Sequence, residues 1–305
     1  MKGGLHARRA LTAWQSKTHY PRGSASARDG QSKGFTIVEV LIVLAITGGL
    51  FISAATMISG RTAKTQFEQS INQMTGQIRQ QINDVASGYY PNNANFQCTA
   101  SGADFTITAG AKAQGTNSGC VFLGKALYFG VAGTNPEQYV SFPVAALQRN
   151  AAGEEVTSIA AAKPAVIYPA APQTNSPNSS QTTPLQYGLK VSKMYHSGNA
   201  GNSIGAVAFL SSLGQYNGTE LVSGSQQITM LPLSGTAIGQ SIPTAAAAIN
   251  ASFINSYNTF AASTNKQVDI CFDSGTTNQS GLVTIGGGNG RELSVTLSIK
   301  GNLGC

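Results

Sequence analysis

The sequence predicts an α+β protein: a long N-terminal α-helix, membrane-spanning in its first half, packed through its second half on a C-terminal antiparallel β-sheet domain. Three observations predict it. Residues 35–59 are almost wholly apolar, and an apolar stripe at helical spacing continues to residue 85. After residue 90 the chain turns to short β-prone runs between Gly, Asn and Ser turns.

Residues 1–34 read as a cytoplasmic leader that is removed. They are polar, basic and turn-rich, with no apolar periodicity from which a core could form. The only tryptophan, Trp14, lies there.

Residues 35–59 form the first half of the helix. At 1.5 Å per residue, 25 residues reach roughly 37 Å, enough to cross a bilayer core of about 30 Å with some tilt. A secretory signal has a shorter apolar core followed by a small-residue cleavage site, and neither fits here. Arg22, Arg28 and Lys33 before the run, with the rest of the leader's charge, outweigh Arg61 and Lys64 after it. The leader is therefore expected inside the cytoplasm and the C-terminal region outside.

Residues 60–88 form the amphipathic half. Phe67, Ile71, Met74, Ile78, Ile82 and Val85 recur at spacings of 4, 3, 4, 4 and 3, while glutamines occupy the other faces. No proline interrupts before Pro91, and Ser87-Gly88 is a stop signal. One helix from residue 35 to 86 would measure about 78 Å. Burying the six apolar side chains would contribute roughly 9–18 kcal/mol before the entropy of ordering them. A single-pass anchor on a flexible linker would not need that stripe.

Residues 89–305 read as an exported β-rich domain, with candidate strands at 105–108, 120–129, 139–142, 185–195, 204–210, 228–231, 267–272, 282–285 and 293–299. The last is the clearest: Leu293, Val295, Leu297 and Ile299 alternate with Ser294, Thr296, Ser298 and Lys300. With residues 282–285 and the glycine-rich run 286–290 it reads as a hairpin. Residues 169–184 are low-complexity and proline-rich, expected as an exposed loop, and the Ala-rich stretch 244–262 as a second helix.

Composition narrows the function. Charged residues are 10% of the chain, against roughly 25% in an ordinary soluble domain, which suits an exported or fibre-forming protein. The net charge of +7 invites a nucleic-acid reading, but its location defeats it. The leader carries seven Lys/Arg against Asp29, a net +6; the other 271 residues carry twelve against eleven, a net +1. The closest lysine pair, Lys190 and Lys193, is a thin basis for binding phosphate.

The four cysteines, Cys98, Cys120, Cys271 and Cys305, all follow the apolar run, and an even number in an exported region favours two disulfides. Sequence order favours Cys98 with Cys120 and Cys271 with Cys305, among three pairings. Loops of that size would contribute about 3–4 kcal/mol each. No Cys-x-x-Cys spacing exists and His196 is the only histidine after the leader, so no metal is expected.

The segment Lys33-Gly34-Phe35-Thr36-Ile37-Val38-Glu39 resembles the processing site of type IV pilins and of the pseudopilins of type II secretion. The resemblance is specific over residues 33–60, architectural to about residue 86, and only one of class beyond. It implies that a prepilin peptidase cuts between Gly34 and Phe35 and methylates the new amine of Phe35. It implies that Glu39, fifth in the mature chain, meets a neighbouring subunit's amine during assembly. The chemistry is reasonable by itself: a carboxylate deep in a membrane helix costs about 2.5–3.5 kcal/mol, and a nearby amine and the helix dipole would offset that. Many pilins also close their last segment with a disulfide, which the resemblance places at Cys271 and Cys305. The leader of 34 residues is long for this group, and the helix lacks the proline that often interrupts it, Gly48-Gly49 and Gly76 being the comparable weak points. A mature chain of 271 residues is larger than many major pilins, pointing to a minor subunit.

No enzyme is expected. His196 lies in a polar stretch without a nucleophile, the run 286–290 lacks the Lys-Ser/Thr of a phosphate loop, and Glu154, Glu155, Asp269 and Asp273 have no paired-carboxylate context. Asn178, Asn217, Asn250 and Asn278 begin Asn-x-Ser/Thr triplets, which arise often in such composition. The expected function is a minor pilin: a structural subunit of a filament with no cofactor. Its expected partners are prepilin peptidase, other pilin subunits, an inner-membrane assembly platform and, before assembly, membrane lipid. The precursor is expected in the cytoplasmic membrane and the product in an extracellular pilus or periplasmic pseudopilus. The alternative is a membrane-anchored extracytoplasmic binding domain that never polymerises, or a pseudopilin of a secretion system.

Overall fold

The computed structural model describes residues 34–88, 96–101, 104–109, 120–130, 137–150, 152–168, 180–196, 203–211, 228–261, 267–275, 279–286 and 293–301. Residues 1–33, most of the proline-rich segment, the run 287–290 and the triplet asparagines Asn178, Asn217 and Asn278 lie outside them. The chain divides into two units, Met1–Ala54 and Ala55–Cys305, each described by itself.

Helix α1 (Ile37–Ala86) contains the unit boundary. In the first unit its side chains are all exposed, and the apolar run is long enough to cross a membrane. In the second unit the whole expected stripe is buried, with Ser70 and Thr75 beside it. The helix stops where Ser87-Gly88 predicted: Gly88 adopts φ +67, a left-handed conformation that glycine enters without steric cost.

The β elements form a hairpin and two antiparallel sheets. Strands β1 (Phe96–Ser101) and β2 (Asp104–Ala109) make the hairpin. One sheet runs β5 (Ala165–Val166), β4 (Gln138–Leu147), β3 (Cys120–Phe129), β8 (Ala206–Ser211) and β9 (Ile228–Leu233), with β6 (Gln181–Pro184) beside β5 on the same edge of β4. The second sheet runs β12 (Val295–Gly301), β11 (Gln279–Gly286), β10 (Gln267–Ser274) and β7 (Leu189–His196). Among the described residues there are also helices α2 (Ile159–Ala162) and α3 (Ile242–Ala261), α3 close to the second helix expected at 244–262, and a 3-10 turn at Gln186–Gly188.

Three expectations change. Strand β4 is longer than 139–142, the strand expected at 185–195 starts only at Leu189 after a 3-10 turn at Gln186–Gly188, and the low-complexity stretch 169–184 ends in a strand instead of running on as loop. Gln181-Thr-Thr-Pro184 pairs with β4 at a sheet edge, where threonine fits the pleat and proline's missing N–H costs nothing.

The six-stranded sheet is covered on both faces. From β3, Lys125 reaches α1 on one side, donating to Gln81 at 3.0 Å and pairing with Asp84 at 2.7 Å. On the other side Tyr128 points to the chain leading into α3: its hydroxyl lies 3.1 Å from the carbonyl oxygens of Ala237 and Gln240 and accepts from Gln240 N–H at 2.7 Å. Alternation along β3 therefore gives two buried faces, and Ala126, Leu127, Tyr128 and Phe129 are all fully buried. Burial raises the Tyr128 pKa above its ordinary 10.0, only partly countered by backbone hydrogen bonds from Gln240 and Gly239. Burial likewise raises Tyr139, against a hydrogen bond with Thr183.

The four-stranded sheet meets α1 through β11 and β12. Arg79 donates to the Val295 carbonyl at 2.6 Å, and Ser70 to the Gln186 carbonyl at 2.6 Å. A side chain at Gly281 would overlap Ile71, so the bare glycine is what lets the helix lie this close. Phe272, Gly281 and Ile299 are cross-strand partners and share that face.

Candidate functional site

The predicted processing segment lies at the start of α1. Gly34, Phe35 and Thr36 are exposed and outside the helix, which begins at Ile37. The Thr36 carbonyl accepts the first helical bonds, from the N–H groups of Glu39 at 3.0 Å and Val40 at 3.2 Å. The Thr36 hydroxyl also accepts from Glu39 N–H, at 3.3 Å. This is an N-cap, with Glu39 three residues on in the pattern of a capping box. The cap was readable as Thr-x-x-Glu ahead of an apolar run but was not among the sequence-based expectations.

Glu39 occupies the first turn of α1, where the helix dipole favours an anion. Between Phe35 and Gly60 it is the only ionisable side chain. The hydroxyls in the same run satisfy themselves: Thr47 donates to the Val43 carbonyl at 2.7 Å and Ser59 to that of Thr56 at 2.9 Å. Thr and Ser thus cost little in lipid, and Glu39 is left as the group whose presence there calls for a partner.

The cysteines stand apart from this segment. Cys120 opens β3, is buried and takes part in a disulfide. Cys98, its expected partner, lies in β1, whose side chains fall outside those described. Cys271 is a thiol buried at the middle of β10, so the expected bridge to Cys305 is corrected. Cys271 pairs with Leu282 on β11 and with Lys193 on β7, inside the sheet. Cys305 itself lies outside the described residues.

The remaining sequence candidates are placed without forming a reactive group. Asn150 donates to the Glu154 carboxylate at 2.9 Å within a tight loop. Asp269 accepts from Thr284 at 2.7 Å and from Gln267 at 3.2 Å, and His196 ends β7 opposite Val268. Asn250 accepts from Val166 N–H at 2.7 Å, joining α3 to β5. Lys190 pairs with Glu137 at 3.7 Å, and Lys193 stands over the Tyr195 ring at 5.4 Å. Among the described residues no group of three or more His, Cys, Asp or Glu could hold a metal ion.

No curated protein and no solved structure shows significant similarity to the chain. Residues 30–48 match the family model described as the prokaryotic N-terminal methylation motif, which spans Gly34, Phe35, Thr36 and Glu39. The chain thus carries, ahead of an α+β body, the motif by which type IV pilin and pseudopilin precursors are marked.

Proposed function

We propose that the chain is a minor subunit of a type IV pilus-like filament. Prepilin peptidase cuts it between Gly34 and Phe35 and methylates the Phe35 amine, and the subunit polymerises through α1. One observation carries the reading: a match to the methylation motif over residues 30–48 coincides with an exposed apolar run, residues 35–60, in which Glu39 is the sole ionisable side chain. The new amine of Phe35 gives Glu39 an opposite charge. An amine from a neighbouring subunit would neutralise it and set the stagger between packed helices. Before assembly the exposed apolar run would anchor the precursor in the cytoplasmic membrane, with the leader inside and the β-rich domain outside.

Glu39→Ala and Glu39→Lys test the assembly step. Both should be cut at Gly34 and lose incorporation into sheared filaments. Normal incorporation of both would mean that a contact other than Glu39 sets the packing, and wild-type protein absent from filaments but held in the membrane would favour the membrane-anchored alternative.

A further inference from the structure

Resting on the reading of Gly34 and Phe35 as the two sides of a cut, we propose that Thr36 is a positioning residue for that cleavage. Its side chain fixes the start of α1 at Ile37 and keeps the bond before Phe35 in helix-free, exposed backbone.

A peptide bond inside an α-helix is poorly presented to a protease: its carbonyl is engaged by the N–H four residues on, and neighbouring turns crowd it. The residues after Thr36 contain nothing that would stop the helix from growing toward the leader. Ile37, Val38, Val40, Leu41 and Ile42 are apolar, and Phe35 can itself adopt helical backbone. Thr36 sets the limit. Its carbonyl already accepts from Glu39 and Val40, and its hydroxyl accepts from Glu39 N–H at 3.3 Å, a bond that requires Thr36 to stay outside the helix. The outcome is visible on both sides of the bond: Gly34 and Phe35 are non-helical and exposed. The methylation-motif match spans the same bond and independently marks this stretch as one a peptidase reads. Glu39 contributes to the cap its backbone N–H, which any non-proline residue supplies. Thr36 therefore serves processing, whereas the carboxylate of Glu39 serves assembly.

The test is pulse-chase cleavage of the full-length precursor in membranes containing a prepilin peptidase, with leader loss followed by mass. Thr36→Val keeps the shape and removes the cap; Thr36→Ala removes the cap and favours helix; Thr36→Ser and Thr36→Asn keep it. None changes the charge. Val and Ala should slow cleavage on the order of five-fold, and Ser and Asn should stay within about two-fold of the wild type. Cleavage of Thr36→Val at the wild-type rate would overturn the proposal. So would Ser and Asn as slow as Val, because the peptidase would then be reading threonine itself. A wild-type precursor left uncut before Phe35 would overturn the processing reading beneath it as well.

Discussion

The Lys125 ammonium lies 2.7 Å from the Asp84 carboxylate and joins β3 to the last turns of α1. An acid so near a helix C-terminus opposes the dipole, and α1 has no basic residue of its own in its last turn. Lys125 supplies that cation from the sheet. Gln81 bridges further, accepting from Lys125 at 3.0 Å and from Ser141 at 3.4 Å. The side chain of Lys125 is 6% exposed and that of Asp84 20%, so the pair is largely withdrawn from salt screening.

Breaking this pair from one side should cost more than removing both charges. Asp84→Ala leaves an ammonium buried against Gln81 and should destabilise the detergent-solubilised protein by about 3 kcal/mol, measured by urea unfolding. Lys125→Met with Asp84→Leu should recover much of that loss. Single and double variants of equal stability would mean that the pair is not coupled.

Gly281 predicts a second coupling, through shape alone. Gly281→Val drives a branched side chain into Ile71 and should cost at least about 1–3 kcal/mol. Ile71→Ala alone should cost about 2–5 kcal/mol by leaving a cavity. The double variant should be more stable than the sum of the two losses, because each change makes room for the other. Simple additivity in urea midpoints would show that α1 does not press on β11 as described.

Tyr128 predicts a pH dependence. Its native pKa is raised above the ordinary 10.0, so the native state holds the phenolic proton more tightly than the unfolded chain does. The associated stability is present in full below about pH 10 and is lost as pH rises from there toward the raised native value. Tyr139 acts in the same sense. Tyr128→Phe should flatten part of the fall in thermal midpoint above pH 10. At neutral pH it should cost about 1–3 kcal/mol, because Gln240 N–H loses its acceptor.

The sequence made some elements legible and hid others for physical reasons. The stripe from Phe67 to Val85 was readable because one helix face is buried and the rest is wet, which writes a 3.6-residue period. Strand β12 alternates for the corresponding reason: Val295 is buried while Thr296 and Ser298 are exposed. Strand β3 shows no alternation, because α1 covers one face and the chain leading into α3 the other, so both faces are buried. Nothing local says that Lys125 meets Asp84, 41 residues earlier. The close approach of Ile71 to Gly281 is likewise a property of packing. At the start of α1 the methylation motif and the lone Glu39 were legible from the residue pattern. The cap on Thr36 was written there too, and the helix start at Ile37 gives it meaning.

Mass spectrometry of the protein from sheared surface filaments reads directly whether the mature chain begins at Phe35. The N-terminal peptide should start at N-methylated Phe35, with Gly34 and the leader absent and the protein less abundant than the filament's main subunit. An intact leader on protein confined to the membrane fraction would contradict it.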